Sequence, residues 1–308
     1  MDKSLRIIFM GTPEFAVPSF EILIENGWNV VASITAPDKP QGRGQKLIPS
    51  PVKETALKFG IPILQPTNLK SPEFIEQLRD LKADLQIVVA FRMLPEIVWS
   101  MPPLGTFNLH ASLLPNYRGA APINWAIING EKETGITTFF LKHEIDTGSI
   151  IFQEKESISP ADNIGTLYEK LKLKGAQLVL RTVEAIAGKK IKTTIQDESL
   201  AIHHAPKIFK ETCEIKWNKP AKEIHNLIRG LSPYPAAWTQ LDGKICKIFK
   251  SEISENNLTG LQPGEFQTDN KKELVFQTGL GSLKILELQL EGKKKLEISE
   301  FLRGYKLT

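Results

Sequence analysis

The order of its elements predicts a doubly wound, Rossmann-like α/β layer followed by a small OB-like β-barrel. Three observations lead there. Up to about residue 188, short continuous apolar runs alternate with amphipathic stretches. Beyond it, helical periodicity fades and short strands separated by turn residues take over. A chain of 308 residues also exceeds one typical domain and suits two, each with its own core.

Each element follows from local chemistry. LRIIFMG, ending at Gly11, reads as a buried first strand, and PSFEILIENG as a helix closed by Gly27. NVVASITA is a second strand, SPVKETALKFG a helix and IPIL a short strand. SPEFIEQLRDLKA forms a helix opened by Ser71 with Pro72 at its first position, where the missing N–H costs nothing. The strands DLQIVVAF and GTFNLHAS follow, then a helix in PINWAIING and the strand GITTFFLKH. Apolar strands alternating with helices imply a parallel sheet covered on both faces. A long helix, NIGTLYEKLKLKGAQLVLRTVEAIAG, stops at Gly188.

KKIKTTIQDESLAIHHAPKIF has no strong period and reads as a linker crossing the surface. Then come a helix, AKEIHNLIRGL, and the strands AAWTQLD, KICKIFKSE, ELVFQTG and SLKILELQLE. Short strands with few helices suggest a barrel of the OB type. The expected division is a catalytic domain over 1–188, a linker over 189–207 and a barrel over 208–308.

Composition narrows the function. With 41% apolar and 24% charged residues the chain is an ordinary globular protein. It has no uncharged apolar run of about 18 residues, so no spanning helix is expected. The amino terminus lacks the long apolar stretch of a signal peptide, and Cys213 and Cys246 are too far apart for a CxxC motif. Free thiols and a cytoplasmic location are expected. Residues 207–308 carry 17 Lys and Arg against 13 Asp and Glu, while the first 206 balance at 22 against 22. That modest excess permits nucleic-acid contact without requiring it.

The motifs exclude as much as they suggest. MGTPEF follows the first strand but lacks GxGxxG, so close approach to a pyrophosphate is disfavoured. GxxxxGK[ST] and GxSxG are absent, and the five histidines form no recognised ligand pair, so no metal is expected. In FNLHASLLPNYRGAAPINW, Asn108 and His110 are two apart at a strand end and share a face. An amide donor beside an imidazole suits acyl transfer, because both can stabilise a carbonyl oxygen as it gains charge. Asn108 capping a turn and His110 being an ordinary satisfied residue is the plainer alternative. Asp146, in a loop between two apolar strands, would orient His110 if the two meet; Asp-Thr-Gly is also a common turn.

Asn108 and His110, SLLP at Ser112–Pro115, Tyr117-Arg118-Gly119 and Asp146-Thr147-Gly148 together resemble the signature of folate-dependent formyltransferases. The segment APDKPQGRGQKLIPSPVK, with Lys39, Arg43, Lys46 and Lys53, resembles the insertion of methionyl-tRNA formyltransferases that approaches a tRNA acceptor stem. APKI at Ala205–Ile208 and IRGLSPYPAAW at Ile228–Trp238 resemble the start of that family's carboxyl-terminal domain.

The resemblance implies a reaction. 10-Formyltetrahydrofolate would donate a formyl group to the α-amino group of initiator methionyl-tRNA. Asn108, His110 and Asp146 would be catalytic. Ser112, Leu113, Leu114, Pro115, Arg92 and Leu94 would bind the folate, and Arg43, Lys46, Lys207 and Lys210 the tRNA. A monomer without membrane contact is expected. The alternatives are an amino-sugar N-formyltransferase using the same donor, which has no use for the basic insertion, and a non-catalytic tRNA-binding protein, which has no use for the triad.

Overall fold

In a computed structural model the residues described are 3–41, 46–254 and 257–307. They form two compact units. The first comprises Met1–Arg118, Gly135–Glu156 and Tyr168–His203; the second comprises Gly119–Thr134, Ser157–Leu167 and His204–Thr308.

The first unit is organised by β1 (Ile7–Gly11), whose five residues are all buried. Continuous burial is why this strand reads as an unbroken apolar run: both faces are covered. The helix α1 (Val17–Glu25) covers one of them, stacking Phe20 on Phe9 with ring centroids 4.8 Å apart. Each such buried side chain contributes about 2 kcal/mol of transfer free energy. Gly11 cannot be replaced, since a Cβ there would lie 2.7 Å from that of Ala16.

Beyond β2 (Val30–Ile34) the chain forms a hairpin of β3 (Lys39–Gln41) and β4 (Lys46–Ile48). The helix α2 (Pro51–Lys58) and β5 (Ile63–Leu64) come next, then α3 (Pro72–Asp80). Ser50 and Ser71 cap the two helices, their hydroxyls accepting from Lys53 N and Phe74 N, with Pro51 and Pro72 at the first position. The remaining elements are β6 (Leu85–Val89), the short α4 (Glu96–Trp99), β7 (Thr106–His110), the two-residue β8 (Arg118–Gly119), α5 (Pro122–Ile128), β9 (Glu133–Phe140), β10 (Ile150–Ser157) and α6 (Ile164–Ala187).

The seven-stranded sheet runs β10-β9-β7-β6-β1-β2-β5. Its core is parallel, through β1 with β2 and β6, β2 with β5, and β6 with β7. The strand at Glu133–Phe140 departs from the expected parallel layer: β9 lies antiparallel to β7, pairing His110 with Thr137 and Phe107 with Phe140. A covered strand looks equally apolar in either direction, so composition could not fix its sense. Lys172 of α6 is buried but paired, its Nζ donating to Glu14 Oε1 at 2.9 Å and to Glu169. Burial pushes this ammonium's pKa down, yet the two carboxylates outweigh it and hold it above the usual value.

The second unit is an antiparallel half-barrel, as the turn-rich sequence predicts. After β11 (His204–Ala205) and α7 (Ala221–Leu231) come β12 (Ala237–Leu241), β13 (Lys244–Ser254), β14 (Phe266–Thr268), β15 (Leu274–Gln277), β16 (Ser282–Leu290), β17 (Leu296–Glu297) and α8 (Ile298–Gly304). Its six-stranded sheet runs β12-β13-β16-β15-β14, with β17 on β16. Strand β13 alternates, burying Cys246 and Ile248 while Lys247 points outward. Helix α7 buries Ile224, Ile228 and Leu231, one face at helical spacing. Trp217 stacks on Phe276 at 4.2 Å and donates its indole N–H to Thr239. Helix α5 belongs to this unit because it packs on α7, where Asn124 donates to Gly230 O at 2.8 Å. A Cβ on Gly230 would meet Ile128 at 2.5 Å.

Candidate active site

Asn108 and His110 occupy the carboxyl end of β7, the edge of a parallel sheet where ligands bind. The His110 ring is buried and both its nitrogens are engaged. Nε2 lies 2.8 Å from the carbonyl oxygen of Tyr117, and Nδ1 lies 3.8 Å from Asp146 Oδ2. A carbonyl only accepts, so Nε2 is the donor in that contact, and Nδ1 is the nitrogen turned to the carboxylate. The distance of 3.8 Å is an ion-pair separation, longer than a hydrogen bond. Half-buried Asn108 has no hydrogen-bond partner for its carboxamide among the described residues.

Topology explains why Asp146 reaches this place. Because β9 is antiparallel to β7, the chain leaves it beside Phe107 and must fold back to bring Asp146 to His110. Asp146 turns the corner with φ of 55°, a left-handed conformation that aspartate tolerates better than most side chains. Gly148 lets the return strand close: a Cβ there would lie 1.6 Å from the carbonyl oxygen of Phe140. The backbone of Asp146 is held by Gln196, a buried residue from the stretch read as a surface linker. The aperiodic sequence around Gln196 carries no signal of this; only its partners reveal it.

The SLLP residues are mostly interior. Ser112, Leu114 and Pro115 are buried, and Leu113 is half-buried with its side chain against Gly135. The Ser112 hydroxyl donates to Asn116 O at 2.6 Å, Thr137 donates to Ser112 O, and Gln153 donates to Leu114 O. These bonds hold the loop that carries Tyr117, whose carbonyl meets His110.

Arg92 caps the carbonyls of Thr67 and Pro66, and Leu94 is buried in the adjacent core. Met93, Ile97 and Ile145 leave large apolar side chains exposed. His143 Nδ1 lies 3.5 Å from Glu96 Oε2, which brings the Asp146 loop beside α4.

The basic insertion has an ordered stem. Asp38 accepts from Lys53 at 2.6 Å and from Gln65 at 2.8 Å, and those bonds hold its carboxyl below the usual carboxylate range. Lys53, counted among the cations of the insertion, is thus occupied by Asp38. Arg43 lies outside the described residues, and Lys46 opens β4. Lys207 and Lys210 are exposed, each ammonium over an aromatic ring, Phe209 at 5.6 Å and Trp238 at 5.8 Å.

A strand of a mostly parallel sheet that carries a carboxamide beside an imidazole–carboxylate pair, in a chain that continues into a β half-barrel, is the build of an acyl-group transferase. The formyl transferase family model matches residues 5–183, and the model of that family's carboxyl-terminal domain matches residues 207–306. The methionyl-tRNA formyltransferase of Bacteroides fragilis is 56% identical over 99% of this chain and 97% of its own. That of Flavobacterium johnsoniae is 52% identical over 98% and 96%. The chain belongs to the methionyl-tRNA formyltransferase family.

Solved structures share the fold at low identity. WlaRD, a sugar 3N-formyl transferase, superposes with a TM-score of 0.69 at 22% identity, covering 94% of this chain and 99% of that one. HypX from Aquifex aeolicus, solved with tetrahydrofolic acid, gives 0.66 at 20% identity, covering 99% of this chain and 48% of its own.

Proposed function

We infer that this chain transfers the formyl group of 10-formyltetrahydrofolate to the α-amino group of initiator methionyl-tRNA. The observation that carries the reading is the Asn108 carboxamide, without a hydrogen-bond partner among the described residues, beside the His110–Asp146 pair, in a chain matched over nearly its full length by methionyl-tRNA formyltransferases. A carboxamide on β7 that makes no hydrogen bond within the described residues is left to donate to an oxygen of a ligand.

Each residue has a distinct task. Asn108 donates to the formyl oxygen as the neutral α-amine attacks the formyl carbon, when a C–N bond forms and the carbonyl electrons move onto oxygen. Asp146 and His110 accept the proton that the amine loses. As the oxyanion collapses, the bond from the formyl carbon to the folate nitrogen breaks, and the same pair returns the proton to that nitrogen. Tyr117, through its carbonyl, holds the ring with Nδ1 turned to Asp146. Ser112, Leu113, Leu114 and Pro115 shape the donor side, with Arg92 and Leu94 at the pterin end.

For the acceptor, Arg43 and Lys46 contact the acceptor stem from the insertion, and Lys207 and Lys210 contact backbone phosphates. Lys207 begins the stretch matched by the carboxyl-terminal family model. Among the described residues no helix is long and apolar enough to cross a membrane. Kinship with methionyl-tRNA formyltransferases supports a cytoplasmic enzyme acting as a monomer.

The test is a formylation assay of purified protein with 10-formyltetrahydrofolate and initiator methionyl-tRNA, with a nucleotide-linked amino sugar in parallel. Formyl-methionyl-tRNA is the expected product. Formylation of the sugar alone would overturn the acceptor assignment, and absence of both products would overturn the reaction.

A further inference from the structure

We propose that Gln196 is a positioning residue for the reaction, a clamp that sets Asp146 against His110 and is itself held by Arg118. The inference rests on reading Asp146 as catalytic.

Gln196 is only 5% exposed, and every hydrogen-bonding position of its amide is used. Its two N–H donors go to the carbonyl oxygens of Asp146 and Gly148, both at 2.8 Å. Its oxygen accepts from Arg118 Nε at 3.2 Å and Nη2 at 2.6 Å. A carboxamide offers two donors and two lone pairs, so this set is complete. It also fixes which way the amide faces, because a flipped group would press oxygen against two carbonyls and N–H against a guanidinium.

The spacing of the two carbonyls gives the clamp its purpose. They bracket Thr147, so Gln196 grips both ends of the turn in which Asp146 takes its left-handed φ of 55°. A side chain on a turn has its direction set by the backbone beneath it, and here one amide holds that backbone. Arg118 is anchored in turn by two bonds to Glu198, at 2.7 and 2.8 Å. It directly follows Tyr117, whose carbonyl holds His110 Nε2. One chain of contacts therefore begins beside the residue that orients the imidazole and ends on the residue that bears the carboxylate. Asp146 and His110 stand 3.8 Å apart, and a clamp joining their supports fixes that separation.

The experiment is a double-mutant cycle in single-turnover formylation. Gln196→Met keeps the length of the side chain and removes all four bonds; Gln196→Glu keeps the partnership with Arg118 and sets a carboxylate against the two carbonyls. Each is expected to lower kcat by about 10- to 100-fold, the scale of a misplaced catalytic group, with the KM for tRNA changed less than about twofold. In an Asp146→Ala background the same change should cost less than about twofold, because the group it positions is gone.

An equal loss in both backgrounds, or a Gln196→Met enzyme with unchanged kcat, would overturn the clamp. Near-normal turnover of Asp146→Ala alone would overturn the reading of Asp146 instead, so the two failures are distinct. Should Gln196→Met not fold, Gln196→Glu carries the cycle, since it retains the anchor to Arg118.

Discussion

Asp146 Oδ2 and His110 Nδ1 face each other across 3.8 Å, on the side of the ring away from the Tyr117 carbonyl. This geometry sets the carboxylate against the ring nitrogen that no backbone carbonyl holds. Asp146→Asn keeps the shape and removes the charge. It is expected to lower kcat by about 10²- to 10⁴-fold, the usual scale of a lost acid–base group, with an unchanged thermal transition. Asn108→Ala should lower it by about 10²- to 10³-fold, as loss of one oxyanion donor does. Pre-steady-state formylation and circular dichroism melts measure both. Turnover within threefold of wild type for either variant would contradict its role.

Gly148 tests the turn rather than the chemistry. Its missing Cβ leaves room for the carbonyl of Phe140, which an added methyl would meet at 1.6 Å. Gly148→Ala should therefore push the Asp146 loop outward, costing about 2–4 kcal/mol in urea unfolding and most of the activity. Wild-type stability together with wild-type kcat would mean that the loop accommodates the methyl.

His225 makes stability depend on pH in a stated direction. Burial, and then the nearby Arg229 charge, lower its pKa from 6.5 to about 4, while Nδ1 stays 3.0 Å from the Ser251 hydroxyl. The unfolded chain binds a proton below about pH 6.5 that the folded chain refuses until about pH 4. Stability from this residue is thus complete above the unfolded value and is lost as pH falls through that window. After a discount for partial solvent screening, the loss is about 1–2 kcal/mol. His225→Gln should flatten the unfolding free energy between pH 7 and pH 4. An unchanged slope would show that another group titrates there.

Arg43 belongs to the insertion whose stem is anchored through Asp38 and Lys53. Arg43→Ala should raise the KM for initiator methionyl-tRNA about tenfold, reduce the salt dependence of tRNA binding by about one counterion and leave folate affinity unchanged. Filter binding at several salt concentrations, with fluorescence titration of folate, reads both. A tRNA affinity equal to wild type would remove Arg43 from the acceptor interface.

Much of this molecule is legible in its sequence. The buried run at Ile7–Gly11, the Ser50 and Ser71 caps, the amphipathic α7 and the alternation in β13 all follow from local rules of burial and capping. Those rules act within a few residues and write themselves into periodicity. Asn108 and His110 were visible for the same reason, since two residues on one strand share a face whatever the fold. The small helix α8 and the order of the two sheets left no comparable trace.

By itself the sequence determined the class of fold, the family and the pair of side chains on β7. Tertiary structure alone decided that β9 runs antiparallel, that Asp146 returns to within reach of His110, and that Gln196, 50 residues further on, holds it there. The physical reason is range. Helix and strand periodicity record which face of an element is buried, whereas a hydrogen bond across 50 residues is set by where the whole chain closes and leaves no pattern in the segments it joins.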